Sequence, residues 1–349
     1  MMAPRPKMNI YGLDLPALTE LVSTLGEARF RARQIMDAIY RQDLLDPLAW
    51  TTLSQKLREH LASEYEVVRP SITAHEHSKD GSLKVVLSLA DNRMVEAVAM
   101  PVEGRMTFCI SSQVGCAYGC AFCMTARMGF QRHLLAGEIV GQVAALMQET
   151  GTPHECYNVV FMGMGEPLHN LEPVLQAMRL LVDARAFGLG PRRITISTVG
   201  LPEGIDRLAE EASVPRLAVS IVCADEQLRH ALMPATRRVA LDKLADAIRR
   251  FGQGRRDLPT LEVVLLRGVN DLPSHANKLA AFARQAHAKI NLIEFNPTPE
   301  LPFTPSPEST IQHFLRVLSR EGIGATVRRS RGKDIAGACG QLALRTKPG

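Results

Sequence analysis

Taken as a pattern of apolar and polar positions, the chain changes rhythm twice. In residues 15–25 and 28–40 apolar side chains fall three and four apart (Leu18, Leu21, Val22 and Leu25; then Ile35 and Ile39), predicting amphipathic helices in a helical accessory segment over 1–66. Residues 67–104 switch to a strand rhythm, with runs at 83–89 and 94–100 around the turn pair Asp91-Asn92, and predict a linking β-hairpin. Glu96 interrupts the second run and reads, from the pattern alone, as an outward-facing residue on a half-exposed strand.

From 105 to 331 strands and helices alternate at a regular pitch. Near-continuous apolar strands are predicted at 107–112, 157–162, 194–198, 217–222, 261–266 and 291–295. Amphipathic helices fall between them at 137–149, 171–186, 204–212, 241–251 and 275–287. This predicts an α/β fold whose parallel sheet is covered by helices. No glycine-rich nucleotide fingerprint follows the first strand, so a partial (β/α)6 barrel is expected over a flat doubly wound sheet. Such barrels carry their chemistry at the C-terminal strand ends. Residues 332–349 form a basic, then glycine-rich, tail around Cys339.

The cysteines change the picture most. Cys116, Cys120 and Cys123, spaced C-x3-C-x2-C, follow the first core strand, and three thiols so close in sequence can converge on one point. Thiolates are soft ligands for zinc or iron–sulfur clusters, and no fourth ligand stands at finger-like spacing. A four-iron cluster on three cysteines leaves one iron open to a ligand. Seven cysteines, mostly in one cluster, do not form a secreted disulfide framework; a reducing cytoplasm fits better. No apolar run is long enough to span a membrane. A net charge of +5 is compatible with a nucleic-acid partner but does not demand one. Arg29, Arg31, Arg33 and Arg41 make the second helix basic, either as a phosphate-contact surface or as an ordinary solvated face.

The barrel rule sorts the remaining candidates. The run Gly163-Met164-Gly165-Glu166-Pro167 ends the second strand; its glycines would let a ligand near the backbone, and Glu166 could pair with an ammonium group. Ser197 and Thr198, Ser220-Ile221-Val222, and Asn296-Pro297 end three others. Cys339, between glycines and near basic residues, is either an exposed nucleophile on a flexible loop or an incidental thiol. Cys156 and Cys223 lack any motif and read as structural.

The C-x3-C-x2-C run is the radical S-adenosylmethionine signature. With CISSQVGC, CAFC, MGFQR, GMGEPLHN, ISTVG and TVRRSRGKDIAGACGQL, the chain resembles the RlmN/Cfr family of radical RNA methyltransferases from about Val95 to Leu344, nearest the adenine-C2 enzymes. The resemblance implies a [4Fe-4S] cluster on Cys116, Cys120 and Cys123. It implies S-adenosylmethionine, two molecules per turnover, held by Gly165, Glu166, Ser197, Ser220, Ile221, Val222 and Asn296. Cys339 would take a methyl group, become a carbon radical and add to the base, Cys109 would then form a disulfide with Cys339, and Glu96 would accept the proton. The implied partners are 23S ribosomal RNA, tRNA as a further target, and an electron donor such as flavodoxin or ferredoxin; a cytoplasmic monomer is expected. A base stacked in folded RNA must be exposed before such chemistry.

The chain departs from the family's wording after the fourth strand. Ser220-Ile221-Val222-Cys223 stands where Ser-Leu-His-Ala is common, and 232–238 lacks the usual Pro-Ile/Leu-Asn-Lys wording. Three other readings stand beside the C2 one. A C8-adenine enzyme would share the chemistry, a peptide- or small-molecule-modifying radical enzyme would lack the Cys109–Cys339 pair, and a non-catalytic iron–sulfur RNA-binding factor would need no open iron.

Overall fold

The computed structural model describes residues 7–154 and 156–344, so the last five residues of the tail and the first six of the helical segment lie outside the described residues. The helical segment folds as α1 (Leu15–Thr24), α2 (Arg31–Met36, continuing as a π-helical turn to Arg41) and α3 (Gln55–Glu64). Asp14 and Ser54 cap α1 and α3 by accepting from the amides of Ala17 and Leu57, which start both helices. Leu18, Val22, Ile35, Ile39 and Leu61 point inward and share one core with the sheet; Arg29, Arg33 and Arg41 stay exposed.

Strands β1 (Ser71–His77), β2 (Leu83–Ser88), β3 (Met94–Val102) and β4 (Arg105–Cys109) run antiparallel. From β4 the sheet continues parallel through β5 (Tyr157–Phe161), β6 (Ile194–Thr198), β7 (Arg216–Ser220), β8 (Thr260–Leu265), β9 (Lys289–Glu294) and β10 (Ala325–Arg328). The ten strands lie side by side in chain order and the sheet stays open. Crossover helices include α4 (Met124–Arg127), α5 (Ala136–Thr150), α6 (Leu171–Val182), α7 (Pro202–Ala209), α8 (Glu226–Leu232), α9 (Leu241–Gly252), α10 (Pro273–Ala286) and α11 (Glu308–Arg320).

All six predicted core strands are present. A seventh parallel strand, β10, was missed because its four residues include a terminal arginine and lie in the basic stretch before the tail. β5 and β6 alternate buried and half-buried positions instead of running apolar throughout. The strand ends face a cavity. Side chains of β5, β6, β7, β8, β9 and β10 all border it, at a volume of about 180 Å³. Six flat strands would spread over roughly 24 Å at about 4.8 Å each, so the sheet curls, as a partial barrel does.

Candidate active site

The loop after β4 sets up the site. Gly115 takes a φ of 74°, and a Cβ there would lie 1.7 Å from the carbonyl oxygen of Gly129, so only glycine lets the two passes of the loop meet. Cys116 N–H then donates to Gly129 O at 3.1 Å, and Cys123 N–H to Cys120 O at 3.1 Å. The three thiols line one side of the cavity. Burial pushes the thiols of Cys116, Cys120 and Cys123 up, Cys116 to about 12, and for Cys116 and Cys120 the nearby Cys123 thiol adds to it.

The three thiols border one cavity and lie close enough to act on one another. Among the described residues no three His, Cys, Asp or Glu side chains are arranged around a single metal ion. A wall of three separate thiols suits a polynuclear cluster, in which each cysteine binds a different iron, better than zinc.

The same cavity is lined by Gly165, Glu166, Ser197, Ser220, Val222 and Asn296, at the strand ends where the barrel rule put them. Ile221 is fully buried and does not line the cavity. Asn296 is 4% exposed; its amide nitrogen donates to Ser330 Oγ at 2.8 Å, while its Oδ1 is buried without a partner. A buried orphan acceptor costs free energy unless a donor fills the space beside it. An amino or hydroxyl group of a bound cofactor meets that need.

Glu166 is built into the wall. Its carboxylate accepts from Leu168 N–H at 2.9 Å and Val199 N–H at 2.8 Å, tying the loop after β5 to that after β6. Burial raises its pKa to about 7 against those bonds. The neighbouring glycines line the cavity and have a second reason besides ligand approach. A Cβ on Gly163 would meet the Ile110 backbone at 2.7 Å, and one on Gly165 would meet Gln113 Cβ at 2.6 Å. They admit the cysteine loop's own backbone.

Cys339 and Cys109 meet at a second, smaller cavity, bordered by Met100, Met162, Arg328 and Leu342 as well. Both are free thiols, and Cys339 also borders the first cavity. Cys109, 6% exposed at the end of β4, has its thiol pushed up to about 12 by burial and then by Cys339, with Arg328 opposing. Cys339 is half-buried, not an exposed flexible thiol: Met124 N–H donates to Gly340 O at 2.7 Å and Thr125 Oγ1 to Leu342 O at 2.7 Å. Cys223 is buried, whereas Cys156 is exposed and carries no packing.

Glu96 corrects the reading from the pattern. It is 1% exposed, facing Lys84, itself 2% exposed, at 3.5 Å. Lys84 stands on the adjacent strand β2, one pleat diagonal to Glu96, a pairing that a single-strand view misses. Glu96 lines neither cavity. Two charged wall residues among those that escaped the sequence reading are Glu262 and Arg328. Glu262 on β8 accepts from Asn291 Nδ2 at 3.0 Å and is raised by burial. Arg328 ends β10. A lone carboxylate within the apolar run 261–266 was the signal for the first; the basic surroundings hid the second.

The cysteine core, residues 110–279, matches the model of the Radical SAM superfamily, and residues 8–67 match that of the ribosomal RNA large subunit methyltransferase N-terminal domain. The chain is 42% identical over 338 residues to the dual-specificity RNA methyltransferase RlmN of Alkalilimnicola ehrlichii, covering 96% of this chain and 93% of that one. It is 42% identical over 336 residues to the protein of the same description from Halorhodospira halophila, with the same coverage. The crystal structure of a radical SAM methyltransferase from Sphaerobacter thermophilus superposes with a TM-score of 0.88 at 42% identity, over 97% of this chain and all of that one. Among the described residues no helix is long and apolar enough to cross a membrane.

Proposed function

The chain belongs to the RlmN family of radical S-adenosylmethionine RNA methyltransferases, and on that footing we propose that it methylates C2 of an adenosine in 23S ribosomal RNA, with tRNA as a further target. The proposed setting is the cytoplasm, and the working species a monomer. In this reading 1–66 is an RNA-binding accessory domain, 67–104 links it to the catalytic core at 105–331, and 332–349 is the tail that brings the reactive cysteine.

Cys116, Cys120 and Cys123 would hold a [4Fe-4S] cluster, and Gly165, Glu166, Ser197, Ser220, Val222 and Asn296, backed by Ile221, the S-adenosylmethionine. Bound there, that pair supplies the methyl group and, with electrons from a donor such as flavodoxin or ferredoxin, the radical chemistry at a carbon that ordinary methyl transfer does not reach. Cys339 would accept that methyl group as a nucleophile and carry its carbon to the base in a covalent adduct. Cys109 takes Cys339 in a disulfide as the product leaves, and the resemblance gives Glu96 the proton. One observation carries this reading: Cys339 borders both the cavity of the three thiols and the cavity of Cys109. A thiol with two such neighbours is suited to be charged on one side and resolved on the other.

The test is methylation of 23S RNA and bulk tRNA by reconstituted enzyme, with digestion to nucleosides and separation of 2-methyl- from 8-methyladenosine. Product at C2, absent with Cys339→Ala, is expected. Product at C8 would move the chain to the other branch, and cofactor cleavage without any methyladenosine would mean another substrate.

A further inference from the structure

The three strands that extend the sheet beyond its parallel core, β1 to β3, grip the tail at two places. At the turn between β1 and β2, Asp80 accepts from Gly332 N–H at 2.9 Å. At the same turn Asp334 accepts from Ser78 Oγ at 2.5 Å and from Lys79 N–H at 3.1 Å. On β3, one oxygen of Glu96 accepts from Ala343 N–H at 2.8 Å and from Leu344 N–H at 3.1 Å. Its other oxygen faces Lys84, which also pairs with Glu76 at 2.9 Å. Cys339 lies between these two grips, on a stretch where Gly332, Ala336 and Gly340 all take positive φ.

A segment with so many left-handed residues has little secondary structure of its own to hold it. Its place is set by contacts with the rest of the chain: Met124 N–H to Gly340 O and Thr125 Oγ1 to Leu342 O hold its middle, and the carboxylate grips close its two ends. Both Glu96 oxygens are committed, one to a buried ammonium and one to two amides, and a charge-assisted bond of this kind is about twice as strong as a neutral one. The carboxylate would have to release the tail before it could take a proton from RNA.

We propose that Glu96 is a positioning residue that fixes the tail so that Cys339 borders both cavities, with Asp80 and Asp334 as the matching anchor at the other end. This rests on the reading of Cys339 as the methyl acceptor. It differs from a proton-accepting role in timing: anchoring is needed already when Cys339 is charged, before any RNA is present.

The experiment uses cluster-loaded enzyme without RNA and reads two things: hydrogen exchange of peptides spanning 336–344, and transfer of the methyl group from S-adenosylmethionine to Cys339, followed by the mass of the tail peptide. Glu96→Ala is expected to raise tail exchange and slow Cys339 methylation by about tenfold or more, the size of one lost charge-assisted bond. Glu96→Gln, whose amide oxygen still accepts from the tail, restores part of both although it cannot take a proton. Unchanged exchange and unchanged Cys339 methylation in Glu96→Ala, with RNA methylation lost, would overturn the proposal in favour of proton transfer alone. Should Glu96→Ala unfold, Asp334→Ala, at an exposed site, makes the same test from the other grip: loosened tail and slowed methylation support anchoring, no change refutes it. Failure of the wild type to methylate Cys339 would sink the functional reading, while the exchange measurement would still decide the anchor.

Discussion

Arg328 Nη1 donates to the thioether of Met162 at 3.0 Å, and the two side chains stand on the border between the cavities, lining both. The guanidinium is held charged above its ordinary range, chiefly by Cys339. It is the cation that opposes the burial of Cys109.

Arg328→Met therefore pushes the Cys109 thiol further above about 12. Attack on a disulfide or an oxidised partner runs through the thiolate, and one pKa unit is about tenfold in its population. With oxidised glutathione supplied at fixed concentration as the oxidant, formation of the Cys109–Cys339 bond is expected to slow about tenfold near pH 8 in the variant and to speed up with rising pH in both proteins, two glutathione thiols being released per bond. Quenched alkylation and mass spectrometry over a pH series measure it; equal rates in the two proteins would remove Arg328 from this role.

Glu166 is first a strut. Glu166→Ala deprives Leu168 N–H and Val199 N–H of their partner in a buried loop, at about 1–3 kcal/mol for each group left unsatisfied. The cofactor-free protein should lose about 3 kcal/mol in urea unfolding, and Glu166→Gln, which keeps one acceptor, about half of that. A loss confined to cofactor affinity, with stability unchanged, would make Glu166 a ligand and nothing more.

The barrel and the cysteine loop were legible because strand rhythm and C-x3-C-x2-C spacing are local signals. What the sequence hid depends on contacts across strands. Glu96 read as outward-facing because Lys84, its buried partner, lies on another strand; Gly163 and Gly165 read as ligand clearance because the loop they admit is some fifty residues earlier. Arg328 was lost among arginines, and only its position at the end of β10 separates it from the exposed Arg329.

Val222, where the family commonly has histidine, has a φ of 55°, and Cys223 N–H bonds back to Ile221 O at 2.6 Å. This is a γ-turn of the rare, strained hand on a β-branched residue, a cost of about 1–2 kcal/mol. Asn270, 1% exposed, brackets it: Nδ2 donates to Val222 O and Val264 O, each at 2.7 Å, and Oδ1 accepts from Leu266 N–H at 2.7 Å. Asn270→Ala is expected to cost about 3 kcal/mol. In a Val222→Gly background the cost should fall by about 1 kcal/mol, because the turn no longer resists its bracket. A double-mutant cycle in urea measures the coupling, and simple additivity would mean that Asn270 does not restrain Val222.

Gly165 and Gly119 give opposite expectations within one site. Gly165 has a φ of 101°, and an added Cβ would lie 2.6 Å from Gln113 Cβ and 2.8 Å from its backbone nitrogen. Gln113 cannot yield easily: its Oε1 accepts from Glu166 N–H at 2.8 Å, and its Nε2 lies 3.1 Å from Nδ1 of both His133 and His169. Gly119, the last residue of the cysteine motif's first gap, just before Cys120, has a φ of 63° and open space around it. Gly165→Ala should thus destabilise the cofactor-free protein by about 3 kcal/mol through overpacking and strain, and Gly119→Ala by about 1 kcal/mol through strain alone. Urea unfolding without cofactor distinguishes the two accounts of the GMGEP glycines. If Gly165→Ala lowers only S-adenosylmethionine binding and leaves stability intact, the glycine serves the ligand; if the apoprotein is weakened first, it serves the cysteine loop.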